Sequence, residues 1–226
     1  MADTLQAVRE LKVRAKNERD FEDYEQALGT LDEAIRLLDS SEARITEPRS
    51  RLDSELADCW GMKGGVQRRW ARSSSGERSE HLRQAILAYD EGYKHEGESN
   101  SYNMVNRLLT RVMAGPGVET DPTIPRLDLR AELEKCEGRI RPQLASHRRG
   151  DYWALADLAL LDLLLSRGDA GSAYAGFIAQ SPPAFAYQSV LSVLEELSES
   201  PDGDHPEVGR AVQLLREQLR RLQPGA

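Results

Sequence analysis

Apolar residues recur at helical spacing along most of the chain. Near the start one set occupies positions 5, 8, 11 and 15, and a second set runs from Tyr24 to Leu38. Because positions three and four apart share one face of an α-helix, each set predicts an amphipathic helix. Asp20 or Asp23 can cap the second helix. The two segments predict a first helical hairpin, with residues 40–48 as the link to the next helix.

Three further helices are predicted before residue 115. They cover about residues 49–71, the segment after the polar loop 72–80, and residues 102–114. Gly64 and Gly65 fall inside the first of these helices, where each glycine costs roughly 1 kcal/mol relative to alanine. We expect such a cost where another backbone has to come close.

Residues 115–126 form the strongest linker signal in the chain. Their sequence, GPGVETDPTIPR, contains three prolines and two glycines, which interrupt regular structure. We place a boundary there, between N-terminal helical hairpins over 1–114 and C-terminal helical hairpins over 127–226. We expect the two parts to pack in the same solenoid.

Five more helices are predicted in the C-terminal part. The first covers about 127–148, and the second begins after Asp151 with YWALADLALLDLLLS, which is apolar on most sides and should be the most buried. The others cover 170–180, the segment after Ser181, and a terminal amphipathic stretch. With about ten helices and no predicted strand, the fold class is all-α: an irregular tetratricopeptide-like array of helical hairpins, or α-solenoid.

Composition narrows the class of protein. The 226 residues carry a net charge of −8, and only 6% are aromatic. Since phosphate affinity needs clustered cations, we expect no general nucleic-acid binding. Cys59 and Cys136 belong to no CxxC pair and the histidines, at 81, 95, 147 and 205, are scattered, so we expect surface histidines, no metal site and no cofactor.

The N-terminus lacks a signal peptide, and Asp157 and Asp162 break the longest apolar run, so we expect a soluble, cytoplasmic protein without membrane contact.

A small–large–small spacing appears in two of the predicted hairpins. Ala27, Leu31 and Ala34 repeat at the same intervals as Ala85, Tyr89 and Gly92. This pattern resembles degenerate tetratricopeptide repeats, in which the second helix of each hairpin packs closely on its neighbours. A weaker third unit follows the turn at residues 168–169. Because the spacing does not settle into one period, the array should be irregular.

Five longer motifs point to a more specific resemblance. They are LADCWGMKGGVQRRW, AYDEGYKHE, SYNMVNRL, DYWALADLALLDLLLSRGD and SPPAFAYQSVLSVLEEL, and together they extend over roughly residues 50–200. Their order resembles the TRAFs-binding domain, the central regulatory region of ASK-type MAP kinase kinase kinases, and its bacterial stand-alone relatives. The resemblance implies a sensor or scaffold that couples a stress signal to an effector. The chain carries no kinase motif, so the implied effector is a separate protein.

Two groups of polar residues are candidates for ligand binding. Amide and guanidinium groups can bind a carboxylate or phosphate through charge-assisted hydrogen bonds, and a basic groove in an acidic protein would concentrate an anionic ligand. The alternative is a solvated helix face with cations that balance nearby acidic residues. The candidates on the two predicted first helices are Lys63, Arg68, Arg69, Asn103, Asn106 and Arg107.

Aromatic residues near predicted helix starts suggest a possible pocket. Such side chains have an apolar body and a polar tip, which suits a pocket wall, although residues of this kind are far more often core residues with one satisfied hydrogen bond. The residues are Tyr102, Tyr152, Trp153 and Tyr187.

No catalytic set can be assembled from the motifs. We therefore favour a non-enzymatic helical-repeat scaffold or sensor that binds a protein, a peptide or a small anionic ligand in a concave groove, in stress or defence signalling. Ligand binding would change the packing of later helices by a population shift. One alternative is an enzyme or sensor for a nucleotide-derived, NAD-like ligand, and another is a structural oligomerisation module.

Overall fold

The structure, a computed structural model, describes residues 4–74, 76–97, 100–200 and 206–223. These ranges contain α-helices and no strand, which confirms the all-α prediction and the array of helical hairpins. The helices are α1 Thr4–Asp20, α2 Tyr24–Leu38, α3 Ser41–Thr46, α4 Arg49–Ser73, α5 Arg78–His95, α6 Tyr102–Ala114, α7 Leu129–Ala145, α8 Tyr152–Leu164, α9 Ala170–Ala179, α10 Ala184–Ser198 and α11 Pro206–Leu222.

The chain divides into two compact units, residues 1–111 and 112–226. The division falls inside α6, one turn before that helix ends. After α6 a single 3₁₀ turn, Pro116–Thr120, occupies part of the proline-rich segment.

In the first unit, two hairpins pack side by side. α1 pairs with α2, α4 pairs with α5, and α2 also packs against α4. α1 and α4 are joined directly, because Lys12 Nζ lies 2.8 Å from Glu55 Oε2 and 3.1 Å from Asp58 Oδ2. Burial alone would lower the pKa of Lys12, but the hydrogen bonds to these two carboxylates outweigh it and raise that pKa. The pairing fixes the relative position of the first helices of successive hairpins.

The core of this unit follows from the apolar spacing of its helices. One cluster joins the starts of α1 and α4 to the end of α2, and the other joins the end of α1 to α2 and the middle of α4. Their buried members are Leu5, Val8, Ala34, Ile35, Leu38, Ala43, Leu52, Leu56 and Cys59 in the first cluster, and Ala15, Ala27, Leu31 and Val66 in the second.

Two helix boundaries differ from the predictions. The expected link 40–48 contains the 6-residue helix α3, whose first turn is capped by Ser40 Oγ, an acceptor for the Ala43 N–H at 3.1 Å. The helix predicted over 127–148 is shorter. Asp128 caps its start, and it ends at Ala145, where the Arg148 N–H donates to the Gln143 carbonyl at 2.8 Å. Local capping bonds thus set ends that apolar spacing leaves open.

The second unit is built from the later hairpins. α7 packs on α8, α8 on α9, and α11 on both α9 and α10. As predicted, Asp151 caps α8, with Oδ1 accepting the N–H groups of Trp153 and Ala154 at 2.9 and 3.3 Å. Tyr174, Phe177 and Tyr187 form an edge-to-face aromatic core.

None of the helices in the described ranges has both the length and the apolar character that a bilayer crossing requires.

Candidate functional site

Three glycines allow α4, α5 and α6 to pack at very short range. A Cβ atom on Gly64 would lie 2.7 Å from the ring of Tyr89, and a Cβ on Gly92 would lie 2.6 Å from the amide of Asn103. A Cβ on Gly61 would lie 2.7 Å from Asn103 Oδ1. Side-chain atoms cannot approach that closely, so only glycine fits at these three positions.

Asn103 occupies the space that two of these glycines leave. Its side chain is buried between α4 and α5, and Nδ2 donates to the Ala57 carbonyl at 3.0 Å. Within the described ranges, its Oδ1 accepts no hydrogen bond. Glu96 holds the start of α6 from the other side, with its carboxylate accepting the N–H groups of Asn103 and Met104 at 2.7 and 3.0 Å. An anionic side chain at a helix N-terminus stabilises the helix.

A second polar contact joins α4 to α6 one turn further along. Arg68 Nη1 donates to Asn106 Oδ1 at 2.7 Å, and Asn106 Nδ2 donates to the carbonyl of Tyr102 at 2.8 Å. Arg68 is half-buried and Asn106 is buried. This bond brings together two of the predicted ligand-binding residues, and it places α4 and α6 side by side as the sequence pattern led us to expect.

Asp90 connects α5 to α6 through two arginines. Asp90 Oδ2 accepts a hydrogen bond from Arg111 Nη2 at 2.8 Å, and Asp90 Oδ1 lies 3.5 Å from Arg107 Nη1. The Arg107 guanidinium also lies over the ring of Tyr93, 4.1 Å from its centroid. Arg107 and Arg111 are buried, so these contacts are made away from bulk water.

The polar side of α6 is therefore internal. Asn103 and Asn106 could belong to a ligand-binding face or to a solvated face by sequence, and neither is solvated because both side chains are buried. Tyr102, one of the predicted pocket residues, is 46% exposed at the start of the same helix.

One face of α4 remains open beside this interface. Gly65, Arg68, Arg69 and Arg72 are spaced at i, i+3, i+4 and i+7, so they share that face. Arg69 and Arg72 are exposed, whereas Gly65 and Arg68 are half-buried. A Cβ on Gly65 would lie 3.6 Å from the hydroxyl of Tyr102, which borders the face. We call Arg68, Arg69 and Arg72 the α4 basic face, which Gly65 and Tyr102 border.

Lys63 lies away from the α4 basic face. Its ammonium lies 2.5 Å from Asp32 Oδ1 on α2, and it lies 5.1 Å from the centroid of the Trp60 ring. Arg69 contacts Asp20 at the end of α1, with Nη1 3.4 Å from Oδ1. The six predicted ligand-binding residues are therefore divided between the two sides of α4 and the buried α5–α6 interface.

The predicted aromatic pocket residues fall into different environments. Tyr152 and Trp153 are in contact at the start of α8, with ring centroids 5.1 Å apart, and Trp153 lies 6.3 Å from Phe185 at the start of α10. Trp153 and Phe185 are 40% and 57% exposed. Tyr187 is buried against Phe177, with centroids 5.1 Å apart. Phe185, which is not among the predicted pocket residues, thus joins Tyr152 and Trp153 in a partly exposed aromatic group. Tyr187 belongs to the core instead.

Within the described ranges, one histidine and both cysteines are buried. His81, predicted at the surface, is buried: its ring stacks on Trp70 at 4.2 Å, and Nδ1 lies 2.8 Å from Gln67 Oε1. His205 lies outside the described residues. Burial raises the pKa of Cys59 to about 12, which suppresses its nucleophilic thiolate. In the described ranges, no cluster of three or more His, Cys, Asp or Glu side chains could hold a metal ion.

The packing of α1, α2 and α4–α6 agrees with a comparison to known families. Residues 1–111 match the model of the Tetratricopeptide Repeats-Sensor family. The protein is thus tetratricopeptide-like and helical. Searches of curated proteins and of solved structures gave no match.

Five helices of the first unit can be described as first or second helices of tetratricopeptide-like hairpins. α1, α4 and α6 are the first helices of successive hairpins, and α2 and α5 are second helices. First helices contact one another through Lys12 with Asp58, and through Arg68 with Asn106. The α4 basic face lies on this row of first helices.

Proposed function

We propose that the protein is a helical-repeat sensor or scaffold that binds an anionic group on the α4 basic face. The observation that carries the proposal is the bond from Arg68 to Asn106, which sets a half-buried guanidinium between two first helices at the edge of an open cationic surface. A guanidinium held in this way is pre-oriented for a carboxylate or a phosphate.

The buried polar side of α6 supports a role beyond folding. Removing an amide or a guanidinium from water costs several kcal/mol unless hydrogen bonds compensate, and apolar residues would fill the same space at less cost. In the first unit, Asn103, Asn106 and Arg107 are all buried. Their hydrogen bonds and ion pair offset a desolvation cost that apolar residues would not incur. A network that is costly to maintain and connects α4, α5 and α6 suits a site whose packing responds to a ligand.

The charge balance of the site favours a ligand of limited charge. Arg69 on the α4 basic face contacts Asp20, and Arg107 and Arg111 behind that face contact Asp90. These cations therefore already have carboxylate neighbours. A peptide carboxylate or a single phosphate therefore fits better than a densely charged polyanion. A nucleotide-derived ligand remains the alternative source of the same anionic group.

The matched family and the motif order together support a place in signalling. The family description names a sensor, and the motif order over residues 50–200 resembles the TRAFs-binding domain. We infer a stress or defence role in which a separate effector protein responds to the occupied groove. A cytoplasmic location belongs to the same proposal.

The experiment is a binding screen on the full chain with two ligand arms. One arm contains nucleotides and dinucleotides, the other contains short acidic peptides, and hits are measured by isothermal titration calorimetry. We expect Arg68→Gln to weaken binding of the hit about tenfold or more, because it removes a charge-assisted hydrogen bond. Asn106→Ala should weaken binding as well, since it removes one of the contacts that orient Arg68.

Arg51→Gln is the matched control. Arg51 lies at the opposite end of α4, is exposed, and forms a surface ion pair with Glu47 at 3.6 Å. Its substitution should leave affinity unchanged. A hit in either arm that binds Arg68→Gln and Asn106→Ala as tightly as the natural chain would overturn the site, and a screen without any anionic hit would overturn the proposed function.

A further inference from the structure

The glycines near α4 are not equivalent. Gly61, Gly64 and Gly92 are required by packing, since a Cβ at each would lie within 2.7 Å of a neighbouring side-chain atom. Gly65 is different. A Cβ there would lie 3.6 Å from the Tyr102 hydroxyl and 3.7 Å from the Tyr89 hydroxyl, which are ordinary contact distances.

Packing therefore gives no reason for glycine at position 65. The residue lies in the interior of α4, where glycine lowers helix stability relative to alanine because it has more backbone freedom to lose. An alanine methyl group would fit and would add contacts with Tyr102. Gly29, Gly138 and Gly209 also lie inside helices with no atom near an added Cβ, but they are exposed. Gly65 differs from them because it is half-buried beside Arg68 and the Tyr102 ring.

The surroundings of Gly65 indicate what reaches it. Arg68 and Arg69 follow one turn later on the same face, and the half-exposed ring of Tyr102 stands beside it. Arg68 is held by Asn106, so its position relative to Gly65 is fixed. An anion bound to Arg68 would extend the rest of its structure over the bare backbone of Gly65, next to the Tyr102 ring.

We propose that Gly65 is a ligand-contact position that selects an anion joined to a flat group, such as an aromatic ring or a peptide plane. A flat group can lie against helix backbone and beside an aromatic ring, and a methyl group at position 65 would hold it away. The proposal rests on the proposed function, because the charged group of the ligand occupies the α4 basic face.

The test uses a pair of probes that differ only in the flat group. Phenyl phosphate and inorganic phosphate are titrated into the ¹⁵N-labelled full chain, and affinities are read from amide shifts of α4 and α6. We expect phenyl phosphate to bind the natural chain several-fold more tightly than phosphate does. Gly65→Ala should remove that difference while phosphate affinity stays the same.

Thermal unfolding supplies the second readout and its control. Gly65→Ala should raise the Tm by about 2–4 °C, the shift expected for a typical glycine-to-alanine gain in a chain of this length. Gly29→Ala, at an exposed position of α2 with no atom near the added Cβ, should raise the Tm similarly and leave both affinities unchanged.

The possible failures are distinguishable. A lower Tm for Gly65→Ala would mean that packing requires the glycine, and a retained preference for phenyl phosphate would mean that the flat group lies elsewhere. Either result overturns the role of Gly65 while the α4 basic face stands. If neither phosphate probe shifts α4 or α6 amides, both the inference and the anionic site fail.

Discussion

Close approach between helices explains why glycine and asparagine occur together at this interface. The amide of Asn103 lies against the backbone at Gly61 and Gly92, and it bonds to the carbonyl of Ala57. A larger residue at either glycine would displace a buried side chain that has no free space to enter. The identity of these glycines is therefore determined by the side chain opposite each of them.

Gly64→Ala should lower the free energy of unfolding by about 1–3 kcal/mol, the usual cost of overpacking a tight core. The added methyl group would lie 2.7 Å from the fully buried ring of Tyr89, and the gain in helix propensity cannot offset that contact. Urea denaturation followed by circular dichroism measures the change. Gly29→Ala is the control and should stabilise the protein; equal behaviour of the two variants would contradict this account.

The carboxylate of Glu137 should make stability depend on pH. Burial alone would raise the pKa of Glu137, but hydrogen bonds from Arg141 and Arg167 outweigh it and hold that pKa below its ordinary value of 4.5. Its contribution to stability is therefore present above pH 4.5 and is lost as the pH falls through the lower pKa of the folded state.

Glu137→Gln removes this titration. We expect the chain with Glu137 to be more stable than the variant at pH 7, and the difference should shrink steadily below pH 4.5. Urea midpoints measured between pH 3 and 7 provide the test. Both proteins carry Asp162→Asn in this comparison, because burial and the nearby charge of Glu137 both raise the pKa of Asp162, so the two carboxylates do not titrate independently. A difference that stays constant with pH would show that Glu137 acts through packing alone.

At the scale of elements, α6 is positioned by polar contacts at both ends. Glu96 caps its first turn, and Asp90 receives Arg107 and Arg111 near its last turn. Such contacts have strict geometry, so they fix the rotation of the helix more precisely than apolar packing does. The position of Asn106 relative to Arg68 depends on that rotation.

Asp90→Asn should release the end of α6 and destabilise the protein by about 3–5 kcal/mol, because it leaves two buried guanidinium groups without their carboxylate. Hydrogen exchange of α6 amides should accelerate more than that of α1 amides. Asp39→Asn provides a comparison, since Asp39 pairs with Arg44 at the surface and such pairs contribute about 0–1 kcal/mol. Unchanged exchange in α6 would show that Asp90 does not hold this helix.

The sequence predicts helices better than it predicts their environment. Apolar spacing located α1, α2 and α4–α6, because burial of one face produces that spacing. It missed α3, where six residues are too few to show a period, although Ser40 is a recognisable cap. It also could not show that Lys63 pairs with Asp32, because that contact depends on how two helices pack.

The same limit applies to the candidate site. Gly92 of the small–large–small pattern and the mid-helix Gly64 do mark close approaches, but their neighbours are side chains and not the backbone that we expected. Gly65, for which the same approach was expected, has only ordinary contacts. The polar residues of α6 were open to two interpretations, because a sequence shows polarity but not what lies opposite each side chain. Only the placement of α4 and α5 around α6 shows that Asn103 and Arg107 are internal.

In the molecule as a whole, two independent observations place the end of the first unit at residue 111. The compact first unit comprises residues 1–111, and the family match covers residues 1–111. The helices of that unit, α1–α6, provide the α4 basic face and the network behind it. We therefore expect the proposed binding function to belong to the first unit.

A pair of truncated chains tests this expectation. A fragment of residues 1–114 keeps all of α6 and should be helical, unfold cooperatively and bind the anionic hit of the screen with nearly full affinity. A fragment of residues 1–101 lacks α6, which leaves the space at Gly61 and Gly92 unfilled and Asp90 without its two arginines. It should have a clearly lower Tm and no affinity. Circular dichroism and calorimetry measure both properties. If the 1–114 fragment is unfolded, α6 depends on residues beyond 114, and the first unit is not an independent binding module.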